Sequence, residues 1–244
     1  MNLLVDAGNT NIKMVLSHSG ALLDDIITIS TNQFSETTLT PIFEKYYPFQ
    51  QIVVSTVSLP AQIILDSIPH HHSIIVSAQN RLPFDIRYTT PETLGSDRLS
   101  AVAGALRLSN DNHILVIDAG SAVTYEYISH RTYWGGNISP GLRLRFESLH
   151  RFTTKLPLLS AQQPTHNIGR TTTEAINNGV VLGLIAEIEQ AISLFNKNKE
   201  KITVFLTGGD AFFLQNLIKS PIFVEPNLTL LGMLEIMKLN TLSS

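Results

Sequence analysis

Two aspartates in this chain share one short motif, in which an apolar stretch ends in Asp-Ala-Gly. Asp6 lies in Leu3–Lys13 (LLVDAGNTNIK), and Asp118 lies 112 residues later in Ile114–Thr124 (ILVIDAGSAVT). Each stretch is predicted as strand, tight turn and strand, with the carboxylate at a strand end. Two such carboxylates suit Mg·ATP, because hard cations take oxygen ligands and bridge to phosphates. Two buried hairpins that are alike by chance are the structural alternative.

The turn after Asp6 carries groups that can hold phosphate. Gly8 can adopt backbone angles that a residue with a Cβ resists, so the chain can turn closely around a ligand. Asn9, Thr10 and Asn11 add short polar side chains and backbone N–H groups, which suit phosphate oxygens. An ordinary hairpin turn has the same composition, so this motif alone leaves both interpretations open.

A third candidate, Gly95–Arg98 (GSDR), precedes a helix predicted from Leu99 to Leu108. Asp97 and Arg98, adjacent at a helix start, suit an anionic substrate with a hydroxyl group to activate. The structural alternative is that Ser96 caps the helix, or that Asp97 is an ordinary first-turn acid.

The stretches around these motifs predict an α/β fold with a mixed sheet. His70–His72 follow a proline and are predicted in a surface loop rather than at a metal site, since adjacent histidines share no helix face. Strands are predicted at 14–17, 22–29, 51–55 and 73–76, and helices at 35–46 and 59–68.

The second half predicts one long helix between two glycine-rich segments. Trp134–Gly141 is interpreted as a turn, either close to a ligand or simply tight, that leads into a helix from Leu142 to Phe152. Val204–Asp210 is a strand ending in a glycine turn, which either abuts a base or ribose or is a plain junction. The long helix, from 174 to 195, has an apolar stripe expected in the core or at a dimer contact: Ile176, Val180, Val181, Leu184, Ile185, Ile188 and Ile192.

Composition narrows the class of protein. With 43% hydrophobic and 15% charged residues, the 244-residue chain can bury a sizeable core, and a boundary near 110–112 gives domains 1–110 and 111–244. A net charge of −3 without a Lys/Arg run argues against nucleic acid or an anionic membrane surface as a partner. The lack of cysteine excludes disulfides, thiolate metal sites and a cysteine nucleophile. No signal pattern or apolar run of the ~20 residues that span a bilayer is recognised, so a cytoplasmic location is expected.

An ordered set of motifs over essentially the whole chain resembles type III pantothenate kinase, within the superfamily of acetate and sugar kinases, Hsp70 and actin. Two positions depart from the family pattern: Ser121 stands where the family usually has Thr, and Glu126 stands where it usually has Asp. The motifs are DAGNTNIK (Asp6–Lys13), Tyr88 seven residues before GSDR (Gly95–Arg98), DAGSAVT (Asp118–Thr124), GGNISPG (Gly135–Gly141), KLP (Lys155–Pro157), IGRTT (Ile168–Thr172) and TGGD (Thr207–Asp210).

The resemblance implies ATP-dependent phosphorylation of pantothenate to 4'-phosphopantothenate, the first step of coenzyme A synthesis. It implies two similar ribonuclease H-like (actin-like ATPase) domains, with mixed sheets flanked by helices and a nucleotide cleft between them, in a homodimer. Mg²⁺ is expected on the ATP phosphates with Asp6 as its ligand, directly or through water, and a monovalent cation, K⁺ or NH₄⁺, at Asp118.

The resemblance also implies a role for individual residues, carried over by position. Asp97 is the expected proton acceptor. The expected ATP-binding residues are Asp6, Ala7, Gly8, Asn9, Thr10, Asn11, Ile12, Lys13 and Ser121. The expected pantothenate-binding residues are Tyr88, Gly95, Ser96, Asp97, Arg98 and Thr172.

Two other functions compete with this interpretation. One is a kinase of the same superfamily that acts on another small hydroxyl compound, against which GSDR with Tyr88 favours pantothenate. The other is a regulatory or accessory ATP-binding protein, against which the intact Asp6, Asp97 and Asp118 argue.

Overall fold

The computed structural model describes residues 1–35, 44–196 and 201–241. The chain divides into two compact units. The first contains Met1–Asn110, Arg131–Trp134 and Asn227–Ser244, and the second contains Asp111–His130 and Gly135–Pro226.

The secondary structure of the described residues consists of strands, α-helices and short 3₁₀ turns. The strands are β1 (Asn2–Ala7), β2 (Asn11–His18), β3 (Ala21–Ser30), β4 (Phe49–Thr56), β5 (His70–Ile75), β6 (Asp85–Ile86), β7 (His113–Ala119), β8 (Ala122–Ser129), β9 (Thr132–Pro140), β10 (Thr203–Thr207) and β11 (Phe223–Val224). The α-helices are α1 (Ala61–Asp66), α2 (Ser96–Leu108), α3 (Leu142–Arg151), α4 (Thr172–Phe195), α5 (Ala211–Leu214) and α6 (Leu228–Asn240). The 3₁₀ turns are Thr31–Gln33, Glu44–Tyr46 and Pro91–Thr93.

The first unit is built on a mixed sheet of strand order β3-β2-β1-β4-β5. β1 pairs antiparallel with β2 and parallel with β4, so it lies inside the sheet with neighbours on both sides. Its residues Leu3, Leu4 and Val5 are fully buried, as expected for an apolar run in an inner strand covered on both faces. Because β1 is buried up to Val5, Asp6 is positioned at the edge of the hydrophobic core.

Helices α2 and α6 of the first unit cross at backbone contact. A Cβ at Gly104 of α2 would overlap the Leu228 carbonyl oxygen, and a Cβ at Gly232 of α6 would overlap the Ser100 carbonyl oxygen. Glycine at both positions therefore allows the two helix backbones to touch, which fixes where the first turn of α6 lies along α2.

The second sheet has six strands in the order β11-β10-β7-β8-β9-β6, and the second unit contributes the first five, down to β9. β7 pairs antiparallel with β8 and parallel with β10, which repeats the surroundings of β1. The last of these five strands, β9, begins with Thr132 and Tyr133, which belong to the first unit and pair there with β6. The prediction of α/β architecture with two mixed sheets and flanking helices is confirmed.

Three local predictions were wrong or lie outside the described residues. His70–His72 are not in a loop but extend in β5, where backbone pairing with β4 at the sheet edge tolerates exposed polar side chains. Trp134–Pro140 form most of β9, which pairs with β8, rather than a turn. The glycine at 136 serves close packing within the strand, since a Cβ there would overlap the Tyr125 carbonyl oxygen. Most of the helix predicted over 35–46 lies outside the described residues, and its end, Glu44–Tyr46, is a 3₁₀ turn.

The long helix α4 is the central core helix of the second unit. Its predicted stripe, including Val181, Leu184 and Ile188, is buried in that unit's own hydrophobic core. Of the two alternatives for the stripe, the core is therefore confirmed, and these buried side chains are not available for a dimer contact. α4 is also long and apolar enough to span a membrane by length and composition, contrary to the expectation from the sequence. Buried core helices pass the same test, so the finding is weak evidence for a membrane span.

Candidate active site

Asp6 lies at the end of β1, between Lys13 of β2 and Ser55 of β4 in the sheet register. Its Oδ2 accepts a hydrogen bond from Thr229 Oγ1 of α6 at 3.0 Å. Burial raises the pKa of Asp6 above its ordinary value, and the negative charge of Asp97 raises it further. Hydrogen bonds from Thr229 and Ser55 act to lower the pKa. The positive charge of Lys13 also acts to lower it. The carboxylates of Asp6 and Asp97 therefore lie within electrostatic reach of each other.

The turn after β1 presents polar groups to solvent. The Gly8 N–H donates to the Asn11 carbonyl oxygen at 3.0 Å, and Thr31 Oγ1 donates to the Gly8 carbonyl oxygen at 2.8 Å. Asn9, Thr10 and Asn11 are exposed. Together with the Asp6 carboxylate, their oxygens form a donor set of the hard type that Mg²⁺ prefers.

Three other residues of the predicted phosphate loop are less exposed. Ala7 and Ile12 are fully buried in the core of the first unit, so only their backbone can meet a ligand. Lys13 is partly exposed.

Gly95–Arg98 form the junction at which α2 begins. Gly95 is the N-cap residue, so Ser96 is not the cap. Ser96 Oγ instead donates to the Thr56 carbonyl oxygen at 3.1 Å and accepts from the Thr56 N–H at 2.8 Å. This hydroxyl group joins the helix start to the end of β4, which gives Ser96 a structural role.

The Asp97 carboxylate turns back over the start of α2. Its Oδ1 accepts the backbone N–H of Arg98 at 2.8 Å, and a Cβ at Gly95 would overlap the same oxygen. Burial raises the pKa of Asp97, while the Arg98 hydrogen bond and charge act to lower it. A partly buried carboxylate with a raised pKa is a better proton acceptor than a free one.

The Arg98 side chain is buried and lies beside two tyrosines. Its Nη2 donates to Tyr133 Oη at 2.9 Å, and its Cζ lies 5.8 Å from the centroid of the Tyr88 ring. The Tyr88 and Tyr133 rings stack with centroids 6.2 Å apart. A positive group held in this way can bind an anion in a fixed geometry.

A groove of about 500 Å³ lies beside the start of α2, within the range of small-molecule sites. Gly95 and Ser96 line one side of it, and the remaining lining residues come from the ends of β4 and β5 and from the Pro91 turn. They are Thr56, Val76, Ser77, Ala78, Gln79, Pro91, Glu92 and Leu94.

Asp118 repeats, in the second unit, the position of the first aspartate. It ends β7 between Thr124 of β8 and Thr207 of β10. Gly208 has a φ of +94°, and a Cβ there would overlap both the Asp118 carboxylate and the Ala119 carbonyl oxygen. The Asp118 carboxylate and the Ala119 carbonyl oxygen are oxygen donors of the kind that a monovalent cation such as K⁺ takes.

The turn that carries Ser121 is short and supported by the backbone around it. The Gly120 N–H donates to the Ala122 carbonyl oxygen at 3.0 Å, and the Gly141 N–H donates to the Ser121 carbonyl oxygen at 3.1 Å. A Cβ at Gly141 would overlap the Gly120 carbonyl oxygen, so the junction of β9 and α3 packs directly on this turn.

Two further predicted positions of the second unit differ in exposure. Glu126 is fully buried, and a Cβ at Gly136 would come within 3.0 Å of its Oε2, so a glycine makes the space for this longer acid. Thr172 is exposed at the first residue of α4, whose N-cap Thr171 accepts the Glu174 N–H at 3.2 Å.

Glu187 of α4 joins three elements of the second unit. Its Oε1 accepts from Tyr125 Oη at 2.7 Å and from Ser139 Oγ at 2.5 Å, and its Oε2 accepts from Arg145 Nη2 at 2.5 Å. Arg145 Nε also donates to the Pro140 carbonyl oxygen at 2.8 Å. Burial acts to raise the pKa of Glu187, but these hydrogen bonds outweigh it and lower the pKa.

Three residues of the candidate site, Ser55, Tyr133 and Thr229, were not predicted from the sequence. Ser55 could be found only from the register of β4 against β1. Tyr133 lies just before the glycine-rich segment and Thr229 lies outside every motif, and the sequence signal for Thr229 is a hydroxyl residue in the otherwise apolar first turn of α6.

The two mixed sheets with flanking helices are similar in fold to solved structures of sugar kinases and actin-like ATPases. A Sinorhizobium meliloti structure assigned to 2-dehydro-3-deoxygalactonokinase has a TM-score of 0.63 at 12% identity and covers 98% of both chains. A Campylobacter jejuni structure assigned to the Baf family of transcriptional activators has a TM-score of 0.63 at 24% identity and covers 97% of both chains. At these identities the likeness shows the fold alone.

The family model described as "Type III pantothenate kinase" matches residues 2–194. The type III pantothenate kinase of Flavobacterium johnsoniae is 38% identical over 232 residues, covering 94% of each chain. The chain belongs to the type III pantothenate kinase family.

Proposed function

We propose that this chain phosphorylates pantothenate with ATP, giving 4'-phosphopantothenate and ADP in the first step of coenzyme A synthesis. The observation that carries the proposal is the match to this family over nearly the full chain, together with a partly buried Asp97 beside Arg98 and within electrostatic reach of Asp6. We place the enzyme in the cytoplasm, as is typical of bacterial enzymes of small-molecule metabolism.

Asp97 is the general base of the proposed reaction. The primary hydroxyl oxygen of pantothenate forms a bond to the γ-phosphorus, the bond from the γ-phosphorus to the bridging β,γ-oxygen breaks, and ADP leaves. Asp97 orients the hydroxyl group and takes its proton late, as a carboxylate can in a loose phosphoryl-transfer transition state. The support for this role is the orientation of its carboxylate over the glycine at 95.

The turn after β1 holds the ATP phosphates. Mg²⁺, when bound, neutralises charge on the phosphate oxygens, and Asp6 would hold it directly or through water. The exposed Asn9, Thr10 and Asn11 and the backbone of the turn bind the phosphates, which fits their oxygens and N–H groups.

The cluster of Tyr88, Arg98 and Tyr133 binds an anionic group of the substrate. A buried guanidinium beside aromatic rings is held in a fixed direction, and the planar fork of a guanidinium is a good match for a carboxylate. Gly95 contributes by letting the substrate approach the backbone, and Ser96 contributes by fixing the helix start.

In the second unit we propose Asp118 as a ligand of K⁺ or NH₄⁺, Ser121 as an ATP contact and Thr172 as a pantothenate contact. The support for Asp118 is its position against the backbone carbonyl oxygen of Ala119. The division of function between 1–110 and 111–244 remains part of this proposal, with the addition that α6 belongs to the compact unit of the N-terminal residues.

The proposed assembly is a homodimer formed through the second unit. Its contact lies outside the α4 stripe, and the exposed apolar residues Phe152, Leu158 and Ile168 (80%, 55% and 79% exposed) offer a surface for it. We expect sedimentation velocity to show a dimer at micromolar concentration and Phe152→Asp to shift it toward monomer. A monomeric parent protein at that concentration would contradict the proposal.

The experiment that tests the function is a substrate panel. The purified protein is mixed with Mg·ATP, potassium and one small hydroxyl compound at a time, and ADP release is followed. We expect release with pantothenate and not with sugars or acetate, and none with an Asp97→Asn variant. Release with another compound would identify a different kinase, and ATP binding without release on any compound would indicate an accessory protein.

A further inference from the structure

The last described helix, α6, reaches the first aspartate of the chain. Thr229 Oγ1, in the first turn of α6, donates to Asp6 Oδ2 at 3.0 Å although 223 residues separate the two in sequence. Thr229 is 7% exposed. This hydrogen bond is therefore largely shielded from water, which would otherwise compete for the carboxylate.

The position of Thr229 is determined by the packing of α6 on α2. The Leu228 carbonyl oxygen, one residue before Thr229, lies against Gly104, and Gly232 lies against the Ser100 carbonyl oxygen. Since both contacts are at the backbone, α6 has little freedom to slide or rotate. The hydroxyl group of Thr229 is thus directed at Asp6 by a rigid contact rather than by a flexible loop.

A carboxylate that ends a strand can still rotate about its last bond. The hydrogen bond from Thr229 to Oδ2 restricts that rotation and favours the charged form, beside the hydrogen bond from Ser55. Groups that orient a metal-binding carboxylate in this way typically change metal affinity or activity by about 10–100-fold when removed.

We propose that Thr229 is a positioning residue that orients Asp6 toward Mg·nucleotide. The inference rests on the proposed function only in that Asp6 serves Mg·ATP. It adds a residue outside the matched family region, residues 2–194, to the machinery of the site.

The test compares Thr229→Val with Thr229→Ser. Valine has nearly the same shape as threonine but lacks the hydroxyl group, whereas serine keeps it. We measure the binding of Mg·ADP by calorimetry, the KM for ATP and for pantothenate, and the melting temperature without ligand. Thr241→Val is the matched control, because it removes hydroxyl bonds to Met237 and Gln51 near the other end of α6.

We expect Thr229→Val to weaken Mg·ADP binding about tenfold and to raise the KM for ATP, with the KM for pantothenate unchanged. Thr229→Ser and Thr241→Val should bind Mg·ADP like the parent protein. In an Asp6→Asn background, Thr229→Val should cause no further loss of binding, because its target is already altered.

Equal Mg·ADP binding by the valine and serine variants would overturn the proposal. So would a valine variant that loses nucleotide and pantothenate binding equally and melts lower, since that pattern describes a structural residue. If the valine variant does not fold, Thr229→Ala takes its place with the same criteria. Mg·ADP binding does not depend on the phosphate acceptor, so failure here is distinct from failure of the substrate panel.

Discussion

The two Asp-Ala-Gly turns begin from the same sequence pattern but differ in length and surroundings. In the first unit Ala7 pairs with Ile12, so four residues form the turn; in the second unit Ala119 pairs with Val123, so three residues form it. The longer turn exposes its polar residues, whereas the shorter one is supported by the backbone of Gly141.

The carboxylates of the two turns also meet different groups. Asp6 accepts a side-chain hydrogen bond from a distant helix and lies within the field of a second carboxylate, Asp97. Asp118 lies against glycine and the Ala119 carbonyl oxygen. The repeated motif determines the position of each carboxylate in its sheet. The groups that contact the carboxylate come from elsewhere in the chain, and they determine its charge and its hydrogen bonds.

The largest expected effect is at Asp97, which has no counterpart in the repeated motif of the second unit. Asp97→Asn keeps the shape and one hydrogen-bonding oxygen but cannot accept a proton, so turnover should fall by about 10²–10⁴-fold. Steady-state ADP release measures it, and Mg·ADP binding should persist as the control for folding. A folded variant with more than about a tenth of parental turnover would rule out the base assignment.

The next effect is at Gly95, which makes room for the Asp97 carboxylate. Gly95→Ala places a methyl group where Asp97 Oδ1 lies, so the base must move, and small misplacements of this kind cost up to about 10²-fold in rate. From this expected cost of misplacing the base, kcat should fall at least about tenfold, while the affinity for ATP is retained. Gly183→Ala is a control in a helix where a Cβ meets nothing within 4 Å. Unchanged kcat in Gly95→Ala would mean that the orientation of Asp97 does not matter.

A smaller effect tests the second turn. If Asp118 holds K⁺, exchange of potassium for sodium should lower turnover about tenfold, which corresponds to roughly 1.4 kcal/mol of transition-state stabilisation. Asp118→Asn should lower turnover in potassium and lose the difference between the two ions. Equal rates of the parent protein in the two salts would remove the monovalent cation from the proposal.

The smallest effect is a difference in the pH dependence of stability between the two regions. The pKa of Asp97 is raised in the folded protein, so the protein loses stability as the pH rises through that folded pKa and Asp97 becomes charged. At pH 7 the Asp97→Asn variant should therefore melt at a higher temperature than the parent protein. The pKa of Glu187 is lowered in the folded protein, so the charged Glu187 stabilises the fold at pH values above the ordinary Glu pKa of about 4.3. The Glu187→Gln variant should therefore melt at a lower temperature than the parent protein at pH 7. Both differences should shrink when melting is measured near pH 4. Shifts of the same sign in the two variants would contradict the opposite environments.

The sequence predicted those parts of the fold and site that depend on local pattern. Apolar runs located β1, β4 and β7, and the small-residue run after GSDR located α2. A sequence pattern cannot distinguish a glycine in a turn from a glycine in a strand that a neighbouring backbone approaches closely. Gly136 is of the second kind and was therefore wrongly predicted in a turn. Periodicity likewise shows that the α4 stripe is buried but not what buries it, and the stripe faces the core of its own unit.

The residues that the sequence could not place are those that act across long separations. Ser55 reaches Asp6 through parallel pairing and Thr229 through helix packing, and neither contact has a sequence signal of fixed spacing. The roles of the motif residues themselves stay predictions until the substitutions above are measured.

The contact between Thr229 and Asp6 has a consequence for how the protein is made. Asp6 leaves the ribosome before the helix that orients it, and that helix follows only after the whole second unit has been synthesised. A nascent chain that stops before residue 229 would carry the phosphate turn and Asp97 but would lack the donor to Asp6. If the proposed role of Thr229 holds, translation itself delays nucleotide capture, because an unfinished chain would bind ATP poorly.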